Sequence, residues 1–495
     1  MQLLQSLSGM LYRPFRLDLR ALALMRMGMG GLLLLDLLFR LPDLRAHYGN
    51  GGVLPLAELF LHFWNPWRGS LHTATGLWQG QLVLFGVAGC AALALALGWR
   101  TRWATLVSWL LLLSLHNRNP FVLQGGDDLL RLLLFWGLFM PWSARWSLDA
   151  LRRPQPAGPI YTGAAGVGYV LLGGSVYFFS ALLKTGPEWT EDYTALYYAL
   201  SLDQIVLPLG ELLYPYPELL KTLTFLTWWA ELLLPLLLLV PVRSYWPRLV
   251  FILCIAGLHL GIAASLYVGL FFLIGWTSLL GMLPPPVLDK VERWARLGAV
   301  TWHNRFSHVR FPALYYLKKT APNRLLPQHP LLEGALFGTV LYCLFWNLNN
   351  TPGSPVGMPY QVQWLGQVLR LDQNWGMFAP AVFKDDGWYI FEGKTKAGQL
   401  LDLNQNGRPV QYQKPDRIVA MYSSDRWRKY YEYNLFVSFS FLRPPHCRWA
   451  LNTWNKKHPT QKVQELNVVY MKEVTLPDYK VDGPKREVLC TCTAF

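Results

Sequence analysis

The sequence predicts a mainly α-helical, multi-pass membrane protein of about nine spans with a C-terminal α+β, β-rich extracytoplasmic domain. Three observations predict it. Hydrophobic residues make up 53% of the 495, with 23 Trp and 24 Tyr, a composition suited to lipid and its interfaces. Nine apolar stretches lie near 21–41, 76–98, 103–116, 127–142, 164–184, 219–241, 246–266, 267–285 and 331–348. After Asn349-Asn350-Thr351-Pro352-Gly353 the pattern turns to short alternating runs, so 1–348 reads as the membrane domain and 349–495 as a second one.

Several stretches fall short of the ~20 residues a full crossing needs, which leaves room for two re-entrant segments. Arg13, Arg16 and Arg20 precede the first stretch and no small-residue cleavage site follows it, so a retained first helix is expected.

The formal net charge of +15 is concentrated between apolar runs and in the C-terminal third. Arg100 with Arg102, Arg152 with Arg153, and Arg243 with Arg248 share one side of the membrane with the 286–330 segment. That segment carries Lys290, Arg293, Arg296, Arg305, Arg310, Lys318, Lys319 and Arg324. The opposite side receives Glu188, Glu191, Asp192, Asp203, Glu211 and Glu218. Positive loops face the cytoplasm, which puts the protein in the cell membrane with the N-terminus inside and 349–495 outside. The implied partner is the lipid bilayer. No nucleic-acid motif, P-loop, dinucleotide fingerprint, His-Glu-x-x-His or nucleophile elbow occurs.

In the tail, Trp388-Tyr-Ile-Phe-Glu and Gln399-Leu-Leu-Asp-Leu flank Lys396-Ala-Gly398 as a hairpin, Trp427 to Arg443 suits a helix, and Val463 to Leu476 suits strands. Asp385, Asp386, Glu392 and Asp402 are expected on the solvated surface. Cys90, Cys254 and Cys343 read as packing residues. Cys490 and Cys492 share a strand face, and either could pair with Cys447 outside the cytoplasm. His446, Cys447, Cys490 and Cys492 lack Cys-x-x-Cys spacing, and no metal is predicted.

Ionisable groups inside a membrane are costly and usually face one another. Asp36, His116, Asn117, Asp127, Asp128, Arg131, Lys184 and His259 fall in the outer halves of their stretches. Glu231 lies near the middle of its stretch and Arg26 toward the cytoplasm. A polar cavity opening outward beneath the C-terminal domain is expected. Bland roles compete: Asp127 and Asp128 can cap a helix opened by Gly125-Gly126 with Arg131 neutralising them. Glu231 can hold helices together, His259 can be a core histidine, and Lys184 can snorkel from a helix end.

The stretch Leu-Leu-Lys-Thr-Gly-Pro-Glu-Trp at 182–189 resembles the surroundings of the catalytic lysine of vitamin K-dependent γ-glutamyl carboxylases. Asn-Arg-Asn-Pro at 117–120, Gly-Gly-Asp-Asp-Leu-Leu-Arg at 125–131, Trp-Ser-Leu-Asp at 146–149 and Asn-Trp-Gly-Met-Phe-Ala-Pro at 374–380 are similar to the bacterial HTTM (horizontally transferred transmembrane domain) proteins related to that enzyme. Roughly Arg16 to Pro285 carries the resemblance.

The resemblance implies Lys184 as catalytic base, a reduced naphthoquinone as cofactor, and oxygen and carbon dioxide as co-substrates. It also implies a glutamyl protein or peptide substrate reached from the extracytoplasmic side. His116, Asn117, Asp127, Asp128, Arg131, Tyr177, Trp189, Glu231 and His259 are the pocket candidates. Phe178 and Phe179 join Tyr177 and Trp189 either as a ring-shaped pocket or as an interfacial aromatic belt. Ser143 and Ala144 stand where the animal enzymes carry an Asn-His pair, and no propeptide-binding region is recognisable. A non-enzymatic transporter or partner-binding scaffold is the alternative.

Overall fold

The computed structural model describes residues 12–152, 159–294 and 329–494. Most of the basic 286–330 segment lies outside the described residues. Within the described part, Asp289 and Glu292 accept from Arg20 at 2.8 and 3.0 Å.

Helices occupy every apolar stretch: α1 (Leu19–Arg40), α2 (Trp78–Leu97), α3 (Thr101–Arg118), α4 (Gly125–Gly137), α5 (Ala164–Leu183), α6 (Pro217–Leu233), α7 (Trp246–Ser265), α8 (Phe271–Leu280) and α9 (Pro330–Asn349). Among the described residues, six are long and apolar enough to cross a membrane. A seventh is added if α8 and Pro285–Trp294, which meet at 101°, form one broken span. The difference from about nine lies in α3, which carries Arg102, His116, Asn117 and Arg118, and in the 13-residue α4. α4 is sheathed by other helices instead, so its Leu129–Trp136 run is buried on every side.

Small residues let the bundle close. A Cβ on Gly30 of α1 would stand 2.5 Å from the Ala96 backbone nitrogen of α2, so the two backbones touch. On the side of the bundle away from the C-terminal region, Arg26 donates to the carbonyls of Leu95, Ala96, Trp142 and Trp146 at 2.6–3.1 Å. These bonds give the Ala96 carbonyl at the end of α2 a donor and add a second one to Leu95 O, which already accepts from Gly98 N at 3.0 Å.

The C-terminal region builds a five-stranded antiparallel sheet from β1 (Asp385–Thr395), β2 (Leu400–Asp402), β3 (Arg408–Pro409), β4 (Val463–Thr475) and β5 (Val481–Thr493), in the order β3-β2-β1-β4-β5. Alternation along β1 sends Tyr389 and Phe391 to one face and Trp388 and Ile390 to the other. The first face is covered by α10 (Asp425–Leu435) and α11 (Arg443–Lys457). The helix expected over Trp427 to Arg443 thus ends at Leu435, and Pro444 and Pro445 open a second one that the periodicity does not announce.

Cys447 of α11 and Cys492 of β5 form a disulfide, with Cα atoms 6.1 Å apart. This removes two groups from the weak metal candidate of His446, Cys447, Cys490 and Cys492.

Three of the four tail carboxylates expected on the surface are instead buried. Glu392 is held bidentately by Arg486 at 3.0 and 2.6 Å. Asp402 accepts from the Phe391 and Asn404 amides at 3.1 and 2.9 Å, and Asp386 accepts from the Asp203 amide. Only Asp385 of this set is exposed. Each buried carboxylate has found donors, which is what lets a hairpin acid leave water.

Candidate functional site

Two charged sites sit where the bundle meets the C-terminal region, and one segment, 374–382, reaches from the lysine site to the start of α4. The lysine site begins at the end of α5. Its apolar run stops because Thr185, Gly186 and Pro187 cannot continue a helix, leaving Lys184 as the C-cap. Lys184 is 4% exposed and donates its Nζ hydrogen to Glu231 Oε2 of α6. The ammonium also stands 4.5 Å from the centroid of the Trp189 ring, a cation–π contact. A snorkelling lysine would turn toward the interface; this one turns into the bundle.

α6 begins 14 residues before Glu231, so about 21 Å of helix extends past the lysine. Residues 185–216 pack against that length of helix, with Leu196 N donating to Thr224 Oγ1 of α6 at 3.1 Å. Lys184 and Glu231 therefore meet although the sequence places one at a helix end and the other near the middle of its stretch.

The roof is the Asn374–Pro380 motif and its continuation. Gly186 N donates to Pro380 O at 2.9 Å, Trp189 Nε1 to Phe378 O at 2.9 Å, and Val382 N to Glu188 Oε1 at 3.0 Å. The same segment touches α4, since a Cβ on Gly125 would lie 3.2 Å from Met377 Sδ. Below the roof, Tyr177 of α5 and His259 of α7 share a hydrogen bond of 2.8 Å between the phenol oxygen and Nε2. Gly275 of α8 admits the imidazole, because a Cβ there would come within 2.3 Å of the ring.

The second site surrounds the first turn of α4. Asp127 caps it by accepting from Gln124 N at 2.8 Å, as the Gly-Gly-Asp-Asp pattern predicts. The carboxylate is also gripped by Arg40 of α1 at 2.9 Å and by both terminal nitrogens of Arg426 from α10, Nη2 at 2.8 Å. Asp36 accepts from the same two arginines at 2.8 Å each. Tyr48 accepts from Arg40 at 2.6 Å, and His116 Nε2 lies 3.5 Å from Asp127.

On the other side of α4, Asp128 pairs with Arg131 as expected. Arg131 also donates to the carbonyls of Arg370 and Asp372 at 3.1 and 2.5 Å. Arg370 bonds Asn117 and, at 3.0 Å, Asp372, which Arg68 reaches at 3.2 Å.

Around the start of α4, the space expected beneath the C-terminal domain is thus occupied by that domain's Arg370 and Arg426. The pocket candidates divide. Lys184, Glu231 and Trp189 are in direct contact and Tyr177 with His259 flanks them, whereas His116, Asn117, Asp127, Asp128 and Arg131 belong to the braces. Nothing in the sequence singles out Arg426, which sits in a polar helix 299 residues from its partner Asp127. Arg370 and Asp372 immediately precede the Asn374 motif, and that proximity is their only signal. Comparison of the chain with protein-family models, with curated proteins and with solved structures finds no match.

Proposed function

We propose that this protein is a membrane-embedded base catalyst of the HTTM, γ-glutamyl carboxylase-like kind, with Lys184 as the base and a reduced naphthoquinone as its cofactor. The observation that carries the proposal is the buried Lys184–Glu231 pair beneath Trp189 and the 374–382 roof. In the proposed reaction Lys184, shut away from water against Glu231, is the group that accepts the proton.

A ligand that offers hydrogen bonds is supported by unsatisfied polar atoms on the same helices. Ser180 Oγ, Trp229 Nε1 and His259 Nδ1 are buried with no hydrogen-bond partner among the described residues. Such atoms are costly unless something meets them. When bound, the cofactor would supply an acidic hydroxyl and the electrons for oxygen. Lys184 removes the proton, Glu231 sets the charge of the amine, and Trp189 and the roof exclude water. His259, braced by Tyr177, presents Nδ1 for orientation. Carbon dioxide and a glutamyl peptide complete the proposed carboxylation.

We place residues 349–495 outside the cytoplasm, a reading supported by the Cys447–Cys492 bond, since disulfides persist in oxidising compartments. Labelling of single cysteines introduced at 188–203 and 385–410 from the outside of intact cells tests it. The competing reading, a transporter or partner-binding scaffold, is favoured by the neutralised state of the same ion pair, which is also how a bundle holds helices together. Mass spectrometry of quinone co-purified with the protein, followed by oxygen-dependent turnover of a reduced naphthoquinone series, separates the two. A wild-type protein that retains no quinone and turns over none favours the scaffold.

A further inference from the structure

A groove of about 1400 Å3 runs between the connection from α1 to α2 and the helix α11, away from the lysine site. Its floor is formed where two candidate spans end. Pro42, Asp43 and Arg45 follow the last residue of α1, and Gly76, Leu77 and Trp78 lead into α2. Its upper wall carries Arg448, Lys456, Lys457 and His458 of α11 and the residue after it. With Arg45, four permanent cations face a single acid, Asp43. The Arg45 guanidinium lies 3.9 Å above the Trp78 ring, which fixes it at the rim.

Below the groove, the α2 surface is apolar and uncovered at Leu77, Leu82, Val83 and Val87. The short helix Leu56–His62 beside it likewise exposes Phe60 and Leu61. A charged rim over an apolar wall at a membrane boundary matches one chemistry, an anionic head on an acyl tail. Soluble anions would use the rim and leave the wall in water.

We propose that this groove holds the headgroup of an anionic glycerophospholipid, its phosphate against Arg448, Lys456 and Lys457 and its chains along α2. The site is independent of the base-catalysis reading and of which face of the membrane carries the C-terminal domain.

The test uses the full chain in nanodiscs of equal parts phosphatidylglycerol and phosphatidylcholine, with retained lipid counted by native mass spectrometry. Wild type should retain phosphatidylglycerol preferentially. Arg448→Gln with Lys456→Gln and Lys457→Gln should cut that preference by about fivefold per cation removed. All three side chains are exposed, so the melting profile should hold. Lys480→Gln with Lys485→Gln, at the end of β5 remote from Cys492 and α11, should leave the preference intact. Equal retention of the two lipids by wild type, an unchanged preference in the triple variant, or an equal loss in the Lys480/Lys485 control would overturn the proposal. Displacement of the lipid by millimolar glycerol phosphate would overturn it in favour of a free-anion site.

Discussion

The lysine pair and the α4 brace both bury opposite charges, yet they are held in different ways. Asp127 and Asp36 are each bonded by two arginines from different parts of the chain, so either carboxylate is fixed from several directions. Among the described residues Lys184 has one carboxylate partner, Glu231, and one ring, Trp189, against its ammonium. Charge that is bonded many times over is committed to structure. Charge bonded once is the simpler arrangement, and it is the one that the proposed proton transfer calls for. The brace also spans the two regions of the chain, whereas the lysine pair joins two neighbouring helices of one bundle.

The sharpest way to break this contrast is to remove the centre of the brace. Asp127→Ala leaves two buried guanidinium groups, Arg40 and Arg426, to share Asp36 alone, and the expected loss is about 3–5 kcal/mol. It should be read as failure to recover monodisperse protein, or as a steep fall in melting temperature. Glu231→Gln should cost clearly less, because Gln can still accept from Lys184. Similar losses for the two would erase the distinction.

A smaller effect is expected at the disulfide. Cys447→Ser with Cys492→Ser should cost roughly 2–4 kcal/mol, confined to the C-terminal sheet. Hydrogen exchange should quicken in β4, β5 and α11 while α1, α4 and α5 keep their protection. Quickening throughout the bundle would mean that the brace does not insulate the two regions.

The smallest effect concerns Asp386, whose carboxyl is pushed up to about 7 by burial first and by the neighbouring Asp203 second. The folded protein keeps this proton while the unfolded chain releases it near pH ~4. Stability is therefore lost as pH rises from about 4 to about 7, and the loss persists above that. Asp386→Asn should raise the apparent melting temperature by a few degrees at about pH 8 and change it little at about pH 4. Equal shifts at both values would assign the effect to packing instead.

Much of the bundle was legible because helical apolar runs and their breakers are local signals. All nine stretches form helices, and Lys184 stands at a helix end as Thr185, Gly186 and Pro187 require. The fate of α4 was not legible, since a 13-residue apolar helix reads the same whether lipid or protein surrounds it. The partners of Asp127 were half legible: Gly125 and Gly126 announce the cap, but Arg426 arrives from a helix whose own residues are polar and unremarked. The buried state of Glu392 and Asp402 was misread because a hairpin acid normally faces water, and Arg486 and the Phe391 amide that receive them are distant or main-chain donors. The pairing of Lys184 with Glu231 depends on how far α6 extends past α5, a tertiary fact that neither helix encodes alone.

The central claim is that Lys184 is held for proton transfer rather than for anchoring, and Lys184→Arg tests it most directly. A guanidinium keeps the charge and the bond to Glu231 but cannot serve as a base near neutral pH. Purified wild type and Lys184→Arg should be compared, both folded and monodisperse, for oxygen-dependent conversion of a reduced naphthoquinone to its epoxide. Turnover is expected from wild type and none from the arginine variant, with quinone retention preserved in both. An arginine variant as active as wild type would contradict it.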